Sequence, residues 1–228
     1  MIEQNLLINE IFSSIQGEST FAGTPCSFVR LSGCSLRCNY CDTSYAFCEG
    51  EKLTVAQITD RVQELGNNLV EITGGEPLLQ ALVGDLMKKL CDLGKQVLLE
   101  TSGVVDIQAC DSRVIRIIDI KTPNSGAAGS FFEPNYDFLS KSDELKFVIT
   151  NREDFDWSLN LVKQRNLHNK VNAVHFSPVM FQAQNEYVAG CEPLQADQLA
   201  KWILDCKVPI RLHLQLHRHV WDPEARGV

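Results

Sequence analysis

Ser27-Phe28-Val29-Arg30-Leu31-Ser32-Gly33-Cys34-Ser35-Leu36-Arg37-Cys38-Asn39-Tyr40-Cys41-Asp42 runs from an apolar stretch straight into a loop holding three cysteines. Residues 27–31 read as a short strand ending at Gly33. A chemically loaded loop directly after a strand suggests an α/β sheet, whose ligands gather at the carboxyl ends of the strands. The rest of the chain repeats the arrangement. Leu69–Thr73 reads as a strand running into Gly74-Gly75-Glu76, and Gln96–Glu100 as one running into Thr101-Ser102-Gly103. Val114–Ile120 leads to Lys121, Ala173–Phe176 to Ser177-Pro178, and Ile210–Leu216 to His217; Leu145–Thr150 is a further strand. Helical spacing predicts helices from Thr54, as N-cap, to Leu65, from Pro77 to about Leu93 with Gly94 closing it, from Asp154 to Arg165, and from Leu194 to Asp205. Several strands are almost continuously apolar, as in a parallel sheet covered on both faces. Two crossovers are too thin for full helices: about ten residues before Val114, and the Gly-, Ser-, Pro- and Asn-rich segment 122–143. The pattern is that of an incomplete barrel, read as one domain over residues 1–228.

Composition narrows the function. The 228 residues are 44% hydrophobic and 22% charged, as in a globular chain. The net charge of -8 argues against a groove that tracks nucleic-acid phosphates. No apolar run approaches the roughly 20 residues of a membrane span, and the start shows no secretory leader. A cytoplasmic location is expected. There the nine cysteines are not a disulfide framework.

Thiolates are ligands for iron–sulfur clusters and for zinc. A structural zinc site wants four ligands, and Cys34, Cys38 and Cys41 supply three. A cubane cluster on three thiolates leaves one iron open to a substrate or cofactor. Other readings are a zinc knuckle that borrows Cys48 or a distant histidine, as in a zinc-binding interaction module, or three buried thiols. Gly74-Gly75 alone reads as a tight turn, and Glu76 as a cap for the helix that Pro77 opens. Cys26, Cys91, Cys110, Cys191 and Cys206 are scattered and read as small core residues.

The loop, with an aromatic before its last cysteine and Gly74-Gly75-Glu76 about thirty residues on, resembles the radical S-adenosylmethionine (SAM) superfamily. Asn9-Glu10-Ile11-Phe12-Ser13-Ser14-Ile15-Gln16-Gly17-Glu18, Phe28–Cys34 and Cys41-Asp42-Thr43 narrow this to a resemblance to the 7-carboxy-7-deazaguanine synthase family. It extends through Glu100-Thr101-Ser102-Gly103 and more weakly through Lys121, Phe176-Ser177-Pro178 and Gln215-Leu216-His217. The activating enzymes of glycyl-radical proteins share the cysteine loop and are the alternative; Ile15-Gln16-Gly17-Glu18 with Cys41-Asp42-Thr43 speaks for the synthases.

The resemblance implies a partial TIM-like α/β barrel with few helices, a [4Fe-4S] cluster, SAM and Mg2+. It implies conversion of 6-carboxy-5,6,7,8-tetrahydropterin to 7-carboxy-7-deazaguanine, with loss of ammonia and regeneration of SAM. A deoxyadenosyl radical would take hydrogen from C6 before the ring contracts. The resemblance also implies a flavodoxin- or ferredoxin-type electron donor and a homodimer, with no nucleic acid or membrane as partner. Cys34, Cys38 and Cys41 match the cluster ligands, and Thr43 the magnesium ligand. SAM contacts fall on Tyr40, Cys41, Asp42, Gly75, Glu76, Asp119, Ile120, Lys121, Ser177, Pro178, Val179 and Met180. Here Asp119-Ile120-Lys121 stands where many members have Ser-Pro-Lys. Substrate contacts fall on Ile15, Gln16, Gly17, Arg30, Thr73, His217 and Val228. Arg30 suits a carboxylate because its guanidinium is a planar fork. His213 and His219 read as ordinary strand or loop residues.

Overall fold

The computed structural model describes residues 5–222 and 225–228. Nine strands form one sheet: β1 (Leu6–Ile15), β2 (Pro25–Leu31), β3 (Glu51–Leu53), β4 (Leu69–Gly74), β5 (Gln96–Thr101), β6 (Ile115–Asp119), β7 (Glu144–Ile149), β8 (Ala173–Pro178) and β9 (Arg211–Leu212). The spatial order is β3-β1-β2-β4-β5-β6-β7-β8-β9. Every pairing from β2 to β9 is parallel, and β1 runs antiparallel to both its neighbours. β3 and β9 lie at the two ends of this order, so the sheet is open.

Strand periodicity decides which side chains meet. On the outer face Val29, Leu31, Val70, Ile72, Val97 and Leu99 pack on α1 (Val55–Leu65) and α2 (Val83–Asp92). Farther along, Leu145, Phe147, Ile149, Val174 and Phe176 pack on α3 (Arg152–Gln164) and α4 (Ala196–Cys206). On the inner face Cys26, Phe28, Leu69, Leu98 and Ile117 form an apolar floor. One pleat nearer the carboxyl ends, the inner face turns polar with Glu71, Glu100, Asp119 and Lys146, which line a cavity. The strands are therefore buried on both faces, as their sequences suggest, but one of those faces is charged.

The first helix keeps its expected boundaries, and the third starts at Arg152, two residues ahead of the Asp154 expected. Thr54 and Gln57 form a capping box at α1, and the Asn151 side chain accepts from Asp154 N at 3.0 Å at α3. The expected helix over Pro77–Leu93 is instead a single 3₁₀ turn, Pro77–Leu79, followed by α2. Gln80 breaks it: its backbone is extended, and its side-chain amide bonds Leu7 N, Leu7 O and Ser32 O. Those bonds tie the helical layer to β1 and to the end of β2. The expected strand 210–216 shortens to β9, and His217 opens a short helix, α5 (His217–Val220).

The thin crossovers are real. β6 and β7 are joined only through 3₁₀ turns at Pro123–Ser125 and Glu133–Asp137. A buried asparagine supports these loops. Asn135 Nδ2 donates to Gly103 O and Val105 O, both at 2.9 Å, and its Oδ1 accepts from Ile107 N at 3.1 Å. Each bond satisfies a loop backbone group that a helix would have satisfied internally.

Candidate active site

The cysteine loop is fixed at its base by the end of β4. Gly75 N donates to Leu31 O at 3.1 Å and Glu76 N to Gly33 O at 2.8 Å. A Cβ on Gly75 would lie 2.1 Å from Gly33 O, so only glycine permits this approach. On its far side the loop is held by Asn39, whose N donates to Ser125 O at 2.8 Å and whose Nδ2 donates to Asn124 O at 3.2 Å. Arg37 Nη1 donates to Cys34 O at 2.9 Å and stacks over Phe47, 4.1 Å from the ring centre.

Cys34, Cys38 and Cys41 all line a cavity of about 520 Å³ at the carboxyl ends of the strands. Burial raises all three thiols, and Cys41 is pushed up to about 11. Cys48 is exposed and opens instead onto a separate crevice with Glu49, Tyr187 and Arg226.

The cavity wall opposite carries an ion network. Lys146 on β7 binds Glu18, Glu100 at 2.9 Å and, more distantly, Asp119 at 3.8 Å. Lys121 pairs with Asp119 at 2.9 Å and lies 5.9 Å above the Tyr40 ring. Burial works against the charge on Lys146, but Glu100 and Glu18 outweigh it and hold the ammonium protonated. Burial also opposes the charge on Glu18, yet Lys146 above all keeps it far below the usual carboxylate range. Asp119 Oδ1 is buried and has no hydrogen-bond partner among the described residues.

The third wall comes from β1, β2 and the C-terminal segment. Arg30 donates from Nε to Glu10 Oε1 at 2.7 Å, and Tyr45 Oη donates to the same oxygen at 2.9 Å. His217 packs so closely on Gly17 that a Cβ there would lie 2.0 Å from its Nδ1. Arg226 covers Tyr45, 4.0 Å from its ring centre.

Of the residues matched from the sequence to the cluster, SAM, substrate or magnesium, the fold brings all but two to this cavity. Glu76 is fully buried behind it: its carboxylate caps Leu78 N at 3.2 Å and accepts from Thr101 Oγ1 at 2.7 Å and Ser102 N at 2.8 Å. Ile120 also lies off the cavity, in the outer core. Gln16 does line it, but Nε2 donates to Glu71, Oε1 accepts from Glu18 N, and the backbone bonds Thr24 O and Gly23 N. Ser177 is likewise engaged. Burial lowers His213 to about 4, so the ring is neutral. Ser19 N donates to His213 Nε2 at 2.9 Å, which leaves the proton on Nδ1 to be donated to Ser177 Oγ at 2.7 Å. His213 is thus a buried link between β8 and the Gln16–Ser19 segment, more than the ordinary strand residue its sequence suggests.

Lys146, which holds this network together, and the neighbouring Glu71 have no counterpart among the residues picked out from the sequence, whereas Glu18 and Glu100 entered only as parts of motifs. One signal was present. In Glu144-Leu145-Lys146-Phe147-Val148-Ile149 the charges alternate with apolar residues, which places them on one face of a strand.

The donor set fits a cluster better than a single metal ion. Among the described residues no three His, Cys, Asp or Glu side chains converge on one point. A structural zinc ion needs four ligands around one point, whereas a cubane takes each thiolate on a different iron. An open parallel sheet with a three-thiol loop, a glycine pair packed against it and a polar cavity at the strand ends defines a radical SAM enzyme. A family model described as the radical SAM superfamily matches residues 28–180, and that superfamily implies a [4Fe-4S] cluster and SAM. Over 224 residues the chain is 43% identical to a 7-carboxy-7-deazaguanine synthase of Koribacter versatilis (strain Ellin345), covering 97% of this chain and 99% of that one. It is 41% identical over 229 residues to the synthase of the same name from Chlorobaculum tepidum, covering 99% of each. The crystal structure of QueE from Escherichia coli, at 22% identity, shares the fold with a TM-score of 0.71 over 93% of this chain and 95% of that one. The chain belongs to the 7-carboxy-7-deazaguanine synthase family of the radical SAM superfamily. These relatives favour the synthase reading over the activating-enzyme alternative.

Proposed function

We propose that the chain converts 6-carboxy-5,6,7,8-tetrahydropterin to 7-carboxy-7-deazaguanine with loss of ammonia, and that SAM is regenerated in each turnover. The observation that carries this reading is the joining of three walls around one cavity: three thiols, an anion-rich inner face, and Arg30 with the C-terminal segment. When bound, the cluster and SAM supply a carbon-centred radical that removes and returns one hydrogen of the substrate.

The chain's own residues bind, orient and exclude water. Cys34, Cys38 and Cys41 hold the cluster. Gly75, Tyr40 and Asp42 flank the methionine end of SAM, and Asp119, paired with Lys121, borders SAM on the inner wall. Ser177, Pro178, Val179 and Met180 border the adenine end, with the Ser177 hydroxyl occupied by His213. Glu76 and Ile120 act from behind the wall, Glu76 by fixing Thr101 and Ser102. Arg30, held by Glu10, presents its remaining guanidinium to the substrate carboxylate. Ile15, Gly17, Thr73, His217 and Val228 border the substrate, and Gln16 braces them. Thr43, whose Oγ1 lies 3.3 Å from Asp42 Oδ1, is the magnesium ligand. Mg2+ takes few protein ligands and completes its shell with water and substrate oxygens. A flavodoxin- or ferredoxin-type protein supplies the electron, the enzyme works in the cytoplasm as one domain, and two copies form a homodimer.

An anaerobic incubation of the reconstituted protein with reductant, SAM, Mg2+ and 6-carboxytetrahydropterin tests the reading. Formation of 7-carboxy-7-deazaguanine with no added protein substrate is expected. SAM cleavage without that product would reject the substrate while keeping the superfamily chemistry.

A further inference from the structure

The inner wall carries four acidic side chains and two lysines, and the pairing leaves one acid out. Lys121 takes Asp119, and Lys146 takes Glu18 and Glu100. Glu71 lies on the inner face of β4, one pleat below Thr73, and is 5% exposed. Its partner is an amide: Gln16 Nε2 donates to Glu71 Oε2. Gln16 is itself fixed, because its Oε1 accepts from Glu18 N at 3.0 Å.

The groups that face Glu71 are Cys26 and Arg30 from β2, Glu100 from β5, and Glu18 and Gln16 from the segment after β1. Burial and the two neighbouring carboxylates favour its neutral form. The Gln16 bond and the more remote Arg30 oppose this without prevailing, so the carboxyl stays protonated well above the usual carboxylate range. A carboxylate only accepts hydrogen bonds, whereas a neutral carboxyl also donates one. With Oε2 accepting from Gln16, Oε1 is the oxygen left for a ligand, and in the protonated form that burial favours the carboxyl can donate from it.

We infer that Glu71 is a specificity-determining residue that donates its carboxyl O–H to a ring carbonyl or ring nitrogen of the bound heterocycle. The inference rests on the pterin reading of the cavity and deepens it. Ring acceptors of a lactam suit such a donor, and an ionised carboxylate at the same place would repel them. Gln16 is the positioning residue: its amide turns the Glu71 carboxyl so that the second oxygen faces the ligand.

The test uses the reconstituted enzyme with SAM and the stable, oxidised 6-carboxypterin as probe. Its dissociation constant is measured from neutral to alkaline pH for wild type, Glu71→Gln and Glu71→Ala, with SAM binding as the check on folding. Gln keeps a donor and an acceptor at every pH. Glu71→Gln is expected to bind within about threefold of wild type at neutral pH. Glu71→Ala is expected to bind roughly tenfold or more weakly, the effect of losing one hydrogen bond in a buried site. Wild type loses affinity as Glu71 ionises at high pH, on top of the probe's own titration, while Glu71→Gln shows only the probe's share. Equal binding by Glu71→Ala, or identical pH profiles for wild type and Glu71→Gln, overturns the assignment. Wild type that binds SAM but not the probe overturns the pterin reading itself, an outcome separate from indifference to Glu71.

Discussion

Lys146 is the residue on which most of the inner wall depends. It is 5% exposed and holds Glu18 and Glu100 together. Removing one member of a buried ionic group strands its partners and costs about 3–5 kcal/mol. Lys146→Met is therefore expected to lower the melting temperature by roughly 6–20 °C for a chain of this size. A loss of only a degree or two would show that the network is not structural. His213 gives a test in pH. Its folded-state pKa is lowered from 6.5 to about 4, so the unfolded chain binds a proton first as pH falls. Stability is then fully present above 6.5 and falls as pH drops toward 4, by up to about 1.4 kcal/mol per unit. Unfolding midpoints of wild type and His213→Gln across pH 4–7 measure this, and the variant is expected to show a shallower decline; parallel profiles would sink the claim. Glycine matters at two contacts. Gly17→Ala drives a methyl into the His217 ring, and Gly75→Ala into Gly33 O. Gly75→Ala should be the worse of the two, because the atom it meets is backbone, and iron content after reconstitution is the readout.

The C-terminal segment is the element whose role is least obvious and most easily tested. Arg226 stacks on Tyr45 and lies 4.0 Å from Glu49. Tyr45 donates to Glu10, and Glu10 holds Arg30. One chain of contacts therefore joins the segment to the guanidinium proposed for the substrate carboxylate. A cation–π contact of this kind contributes about 0.5–2 kcal/mol. Arg226→Ala is expected to raise the KM for the pterin roughly threefold to tenfold, with SAM affinity unchanged; an unaltered KM would leave the contact without a function. Elements also show where sequence reading reached its limit. α1 was legible because Thr54 caps it, and α3 by its helical spacing, although its Asn151 cap starts it at Arg152, ahead of the Asp154 expected. β1 was not, because a register shift between Ile8 and Glu10 breaks its alternation of apolar and polar residues. The helix expected from Pro77 failed at Gln80, whose bonds to Leu7 and Ser32 join segments far apart in the chain. No local pattern reports such contacts.

Across the whole molecule, one rule positions the chemistry. Inner-face residues are apolar at one end of the sheet and polar at the carboxyl ends, so a floor of Cys26, Phe28, Leu69, Leu98 and Ile117 closes the cavity from below. Helices cover the outer face, while 3₁₀ turns replace them between β6 and β7. The cysteine loop, the glycine pair and Lys121 were legible because each follows a strand directly. Glu71 and Lys146 were harder to see, because an almost continuously apolar strand reads as doubly apolar when one of its faces can be charged and internally paired. The central claim is that this cavity recycles SAM while rearranging a small pterin. Its most direct test is the ratio of product formed to SAM lost in one anaerobic reaction of the reconstituted enzyme. Many molecules of 7-carboxy-7-deazaguanine for each SAM consumed is the expected result; stoichiometric loss of SAM to 5′-deoxyadenosine with none of that product would contradict it.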